Sequence, residues 1–307
     1  MMDDWNQTTY VMRRGVLPRI VCIAIAISLP LLSAACANHH PQHGQHADLV
    51  QAARQRLQHE IRTESGYRQI RAAELLSEPQ PDFPIDSSDP AVRVGQYRVR
   101  LAAGQTRWAG EILRIALDPA APGHVHAIEA AAKFKLRLDD AQMATLRTLA
   151  SDRESFATGY ILWLLAENGD ANAQAAITDL IAQPQSANRL TASYAAGFLP
   201  DLPPDRDAAL REMAAAGDPL TSAFALLALA RHRAVTAAEL RDHLRILAPD
   251  ADEKAIRFHL HALGEVGTFE ELALLSAYLK SEDPEIANAA AGSILAIHQR
   301  GLLSHTR

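Results

Sequence analysis

From residue 47 onward, apolar residues recur at the three- and four-residue spacing of α-helices, and turn residues divide this pattern into short segments. Alternating runs of the kind that form strands are almost absent. An Asp can cap the following helix and a Pro fits its first turn, so such pairs predict helix starts. The pairs are Asp89-Pro90, Asp118-Pro119, Asp218-Pro219, Pro249-Asp250 and Asp283-Pro284.

The helical segments repeat along the chain. Apolar residues, each followed by a stretch of small residues, stand 30 to 36 residues apart at Val92, Val125, Phe156, Leu190, Leu220, Ile256 and Ile286. Second helices are predicted over residues 171–182, 205–216, 236–247 and 268–280. One helix pair per repeat of this length is typical of an α-solenoid. We therefore predict an all-α fold, a right-handed α-solenoid of about seven to eight antiparallel helix pairs.

The segment SEDPEIANAAAGSILAI (residues 281–297) combines an Asp-Pro start, small residues in mid-helix and aliphatic spacing. In these features the chain resembles the HEAT and armadillo-like repeat superfamily, over roughly residues 65 to 300. We predict N-terminal helices and a Pro-rich linker over residues 47–88 and a repeat array over residues 89–307. The prolines of residues 78–90 indicate either a long inter-repeat loop or a hinge or docking loop.

The N-terminal segment has a different pattern. Three arginines precede an apolar run over residues 20–35, which ends in small residues just before Cys36. This order is typical of an export signal, and we assign residues 1–35 to it. Met12 is an alternative start, because the sequence MRRGVLPRIV that follows from it is a more ordinary beginning for a signal.

A cysteine at the first mature position resembles a bacterial lipoprotein, and this resemblance implies acylation of the Cys36 thiol. Ser33 stands where the usual motif has Leu, so cleavage after Ala35 or Ala37, giving a secreted protein, is an alternative. A spanning anchor is a third, although residues 20–35 are short for one. We predict a protein anchored by lipid to the cell membrane or outer membrane, on its periplasmic or extracellular face.

Residues 36–46 are predicted to be a His-rich tether between the lipid and the folded body. A metal-handling lipoprotein is the alternative, because imidazoles bind zinc, copper or nickel, and the candidate ligands are His39, His40, His43 and His46. The formal net charge of the chain is −6. Nucleic acid is therefore a poor partner, since binding it demands clustered positive charge.

His126, Glu129 and Lys133 share one face of a predicted helix. They form either a polar site, in which Glu129 orients His126, or ordinary hydrogen bonds and ion pairs of a helix face. The nucleophile elbow, phosphate-binding loop, dinucleotide fingerprint and zinc-protease spacing are missing from the sequence. We predict a non-enzyme without a cofactor, and a periplasmic enzyme using His126 and Glu129 is the alternative.

Arginines and aromatic residues cluster in the N-terminal third, a composition typical of binding hot spots. A solvated helix face is the other interpretation. The predicted function is a scaffold whose concave groove binds a protein partner in the bacterial cell envelope. Its possible binding surface comprises Tyr67, Arg68, Arg71, Arg93, Tyr97, Arg98, Trp108, His126, Glu129 and Lys133.

Overall fold

The structure, a computed structural model, describes residues 41–153, 155–216, 218–247 and 252–304. These residues form fifteen α-helices and one 3₁₀ helix (Phe269–Glu271) and include no strand, so the prediction of an all-α fold is confirmed. The helices are α1 (Pro41–Thr63), α2 (Gly66–Leu76), α3 (Pro90–Ala102), α4 (Trp108–Ala116), α5 (His124–Lys133), α6 (Asp140–Ala150), α7 (Thr158–Glu167), α8 (Ala171–Ala182), α9 (Arg189–Ala196), α10 (Pro204–Ala214), α11 (Pro219–Arg231), α12 (Ala237–Ile246), α13 (Glu253–Val266), α14 (Leu272–Leu279) and α15 (Pro284–Ser304).

Alternate helices pack side by side in one continuous layer. From α3, the contacts run through α5, α7, α9, α11 and α13 to α15. The helix that precedes each of the last six, from α4 to α14, packs against it. We call α2, α3, α5, α7, α9, α11, α13 and α15 the inner helices. Helices α7 and α11 are apolar on all sides and buried almost throughout, whereas α6 and α12 bury one stripe.

The two ends of the layer of inner helices are in contact. Helix α15 packs against α1 and α2, and α2 packs against α3. The close approach depends on Gly292, where an added Cβ would lie 2.6 Å from the Leu75 side chain of α2. Arg56 of α1 donates to Oδ1 of Asn288 over 2.9 Å. The last inner helix is therefore in contact with the first two helices of the described chain.

The predicted second helices at residues 171–182, 205–216, 236–247 and 268–280 correspond to α8, α10, α12 and the 3₁₀ helix with α14. Three Asp-Pro pairs begin helices as predicted, because the carboxylates of Asp89, Asp218 and Asp283 accept from backbone N–H groups of the first turn. The Asp118 pair was predicted wrongly. Asp118 accepts from the Ala120 N–H in a turn, and α5 begins only after Gly123, whose φ of 82° is not a helical value.

The Pro-rich segment, residues 78–90, is packed against α2 and α3. Its Phe83 is buried in a small apolar cluster with Ile70 and Val99. Gln96 of α3 donates to Asp86 over 2.9 Å, and the Gln105 side chain donates to the Pro81 carbonyl over 2.7 Å. These contacts hold the segment as a fixed connection between the two inner helices.

The predicted signal peptide, Cys36, His39 and His40 lie outside the described residues. Helix α1 begins at Pro41, so residues 41–46 of the predicted tether are helical. Within the described part of the chain, no helix combines the length and apolarity that crossing a membrane requires.

Candidate functional site

Four charged side chains meet between α2, α3 and α5. Arg98 of α3 donates from Nε to Oε1 of Glu74 over 2.8 Å, and its Nη2 lies 2.7 Å from the same oxygen. Its Nη1 lies 3.6 Å from Oε2 of Glu129, and Glu129 is also paired with Lys133 one turn along α5. All four side chains are at most 7% exposed. We call this group the ionic cluster.

The ionic cluster can form because the residues next to Glu129 on α5 have small side chains. Ala130, Ala131 and Ala132 are completely buried, so α5 approaches its neighbours closely around Glu129. Burial by itself lowers the pKa of Arg98, but the Glu74 and Glu129 carboxylates outweigh it, and the pKa is raised. The guanidinium therefore stays charged, and the pairing offsets the cost of taking four charges out of water.

Next to the ionic cluster, two cations lie over an aromatic ring of α9. The Lys133 ammonium lies 5.4 Å from the ring centroid of Tyr194 on α9, and the Arg231 guanidinium lies 5.1 Å from the same ring. Arg231 also lies 3.8 Å from the Phe198 ring and 3.5 Å from Glu265 of α13. The faces of these aromatic rings thus attract two buried cations.

A second set of charges joins the ends of the layer. Glu285 of α15 is paired with Arg71 of α2 and with Arg257 of α13, the latter over 2.8 Å. His261 of α13 is buried beside these groups. Desolvation lowers its pKa well below the usual value, and Arg257, Arg231 and Arg71 lower it further. A neutral imidazole therefore lies among paired arginines where the first and last inner helices meet.

The predicted polar face of α5 is only partly assembled as expected. Glu129 and Lys133 are paired, but the Glu129 carboxylate also holds Arg98, from another helix. Nε2 of His126 instead lies 3.1 Å from the hydroxyl oxygen of Tyr67 on α2, and the two ring centroids are 5.7 Å apart. Glu129 therefore links α5 to α3 through Arg98, and His126 is held by Tyr67 rather than by Glu129.

The remaining residues of the predicted binding surface lie outside the ionic cluster. Arg68 is paired with Glu60 and Glu64 at 3.3 and 3.0 Å. Arg93 donates to the Ser87 carbonyl, which anchors the Pro-rich segment. The predicted surface is thus divided between buried helix–helix contacts and the exterior of the molecule.

An arginine–aromatic stack remains near the surface at the turn from α3 to α4. Tyr97 and Trp108 stack with centroids 4.7 Å apart, and the Arg107 guanidinium lies 4.9 Å from the indole ring. Trp108 is fixed by its Nε1, which donates to Gln105 over 3.3 Å. Residues 104–107 line an open depression of about 350 Å³ beside it. We call Arg107 and Trp108, which lie beside the buried Tyr97, the α3–α4 turn surface.

Several charged residues of the inner helices were missed by the sequence reasoning. They have a common signal, since each is a charge close to a stretch of alanine and aliphatic residues. In a buried helix such a charge requires a partner on a neighbouring element. The missed residues are Glu74, Arg231, Arg257, Glu265 and Glu285.

Of the four predicted metal ligands, only the His46 side chain is described, and it stacks on Phe269 with centroids 5.4 Å apart. The described residues contain no group of three or more His, Cys, Asp or Glu side chains placed to hold a metal ion. Comparisons with protein-family models, curated proteins and solved structures find no match for this chain.

Proposed function

We propose that this protein is an exported, lipid-anchored helical scaffold that binds a protein partner in the bacterial cell envelope and has no catalytic activity. The observation that carries the proposal is the ionic cluster. Of the two residues offered for chemistry, Glu129 is buried and paired with Arg98 and Lys133, and His126 contacts Tyr67 on another helix. Charges neutralised in this way serve packing between helices.

The architecture of the scaffold is part of the proposal. The inner helices with their preceding partners are interpreted as HEAT-like repeats of a right-handed α-solenoid, in which the α1–α2 pair meets α15. Support comes from the regular spacing of the apolar residues and from the successive contacts of the inner helices. Stacked helix pairs expose a row of turns along the edges of the stack, and the face that carries such loops is often the binding face.

The partner is proposed to bind at the α3–α4 turn surface. Tyr, Trp and Arg are the residues that dominate binding energy in protein interfaces. The stack of Tyr97 on Trp108 and the hydrogen bond from Trp108 to Gln105 fix these rings before a partner arrives. Such preorganisation lowers the entropic cost of association.

The membrane attachment rests on Cys36 and the export signal before it. Acylation would hold the folded body at the periplasmic or extracellular face of the cell membrane or outer membrane. The intact mass of the N-terminal peptide tests this part, because an acyl group adds hundreds of daltons and an unmodified Cys36 contradicts it.

The binding site is tested by crosslinking in intact membranes. A photoreactive residue replaces Arg107 in one variant and Ile246, which is 80% exposed on α12, in a control variant. We expect a discrete adduct at position 107 that is absent at position 246. With the captured protein purified, Trp108→Ala should weaken its binding about tenfold or more. Equal adducts at both positions, or unchanged affinity of the Trp108 variant, would contradict the proposed site.

A further inference from the structure

Large exposed apolar side chains gather at one end of the molecule. Leu302 and Leu303, at the end of α15, are 56% and 67% exposed, and Phe269 is 37% exposed. Phe269 belongs to the same area, because an added Cβ at Gly301 would lie 2.5 Å from Cζ of its ring. We call Phe269, Leu302 and Leu303 the terminal apolar patch.

The chain enters the fold beside this patch. The His46 ring, early in α1, stacks on Phe269. Farther along α1, Arg56 binds Asn288, which is early in α15. The two helices therefore run antiparallel, and the beginning of α1 lies next to the end of α15, where the terminal apolar patch is exposed.

The length of chain before α1 limits how far the patch can be from Cys36. Five residue steps separate Cys36 from Pro41, the first residue of α1, and a fully extended chain covers at most about 18 Å over that distance. His46 lies five further residues along the helix, which is about 7.5 Å. Acyl chains on Cys36 would thus keep His46, which stacks on Phe269 of the patch, within about 25 Å of the bilayer surface.

We propose that the terminal apolar patch inserts into the interface of the membrane that anchors the chain, which orients the ends of α1 and α15 toward the bilayer. The proposal rests on the lipid anchoring proposed above. It explains why exposed leucines and a phenylalanine lie near the attachment point, where water would otherwise disfavour them. Apolar side chains at the interface also add a second attachment to the acyl anchor.

The test uses the full acylated protein in vesicles of phosphatidylethanolamine and phosphatidylglycerol. The chain has two cysteines, Cys22 in the signal and Cys36 at the lipid site, so an added cysteine offers a unique thiol in the acylated mature protein. Leu302→Cys carries a bimane fluorophore, and lipids with nitroxide head groups are the quencher. Ile246→Cys is the matched control. Ile246 is also an exposed aliphatic residue, but it lies on α12, which packs against α13, whereas the patch lies where α1 meets α15.

We expect nitroxide lipids to quench the probe at position 302 by about twofold or more, with little quenching at position 246. Equally weak quenching at both positions overturns the proposal. Shielding of position 302 from iodide without quenching by lipid also overturns it, and indicates a second copy of the chain as the occupant.

The mass of the N-terminal peptide separates the two proposals. An acylated chain whose position 302 is not quenched overturns the membrane-facing patch and leaves the anchor intact. An unmodified Cys36 overturns both.

Discussion

Two parts of the inner layer are equally buried but are held together differently. Between α2, α3 and α5, Glu74, Arg98 and Glu129 link the helices through charge. Between α7, α9 and α11, aromatic rings link them, as in the edge-to-face contact of Trp163 with Tyr194, with centroids 6.2 Å apart. The comparison shows that neighbouring inner helices can be held together either by paired charges or by packed aromatic rings.

The two solutions differ in what a substitution would cost. Removing part of an aromatic group loses contact area and leaves a cavity. Removing one member of the ionic cluster leaves its partner charged and unpaired in the interior. We therefore expect the charged part to be the more sensitive to single changes, although charge pairs contribute less net stability than their contacts suggest.

The largest effect is expected for Glu129→Ala, which leaves Arg98 and Lys133 without this carboxylate. The free energy of unfolding should fall by about 3–5 kcal/mol in urea denaturation. The matched control is Glu111→Ala on α4, whose pair with Arg114 is exposed and should contribute about 1 kcal/mol or less. Similar losses of unfolding free energy in the two variants would show that the ion pairs of the cluster contribute no more than exposed ion pairs.

Acidification should weaken the fold through His259 of α13. Desolvation, aided by His243 of α12, lowers the pKa of the buried His259 to about 4. The unfolded chain takes up its proton near pH 6.5, so stability is present above that pH and is lost as pH falls toward 4. The loss should reach about 3 kcal/mol at pH 4.

His259→Gln should flatten this dependence in urea unfolding measured from pH 7 to pH 4. His59→Gln, at an exposed position of α1, is the control and should leave the slope as it is in the parent protein. An unchanged slope in the His259 variant would refute the assignment.

A smaller effect separates two glycines. An alanine Cβ at Gly159, on the aromatic side of the layer, would meet Thr191 and lie 2.7 Å from the Ala192 backbone nitrogen. Gly159→Ala should lower the free energy of unfolding by about 1–3 kcal/mol. At Gly110 of α4, nothing lies within 4 Å of the added Cβ, and Gly110→Ala should stabilise by about 0.5–1 kcal/mol. Thermal unfolding of both variants would show whether the signs are opposite.

The smallest effect is expected for Tyr194→Phe. The Tyr194 hydroxyl is buried and has no hydrogen-bond partner among the described residues, so its removal breaks no bond to them. The phenyl ring keeps its contacts with Lys133 and Arg231. The change in the free energy of unfolding should lie between zero and about 1 kcal/mol of stabilisation. A loss above about 1 kcal/mol would reveal a bonded hydroxyl.

Local features could be predicted from the sequence. The helix starts at Asp89, Asp218 and Asp283 depend on a cap and a proline next to each other in the chain. The meeting of α1 with α15 could not be predicted in this way, because Arg56 and Asn288 are 232 residues apart. No local pattern encodes a contact at that separation.

The same limit applies to the candidate site. The Glu129–Lys133 pair follows from helical spacing, since the two residues are one turn apart. Its coupling to Arg98, and the Tyr67 partner of His126, depend on which helices are neighbours. For this reason the sequence placed Arg71 and Arg98 on a binding surface, whereas the structure places them in ion pairs between helices.

The central claim is that charges in the N-terminal third tie inner helices together, and a double-mutant cycle on Glu74 and Arg98 tests it most directly. Glu74→Gln, Arg98→Met and the double variant are unfolded in urea. We predict that each single change is destabilising and that the two are coupled by about 1–3 kcal/mol. Additive effects, with each single change below about 0.5 kcal/mol as for surface charges, would contradict the account.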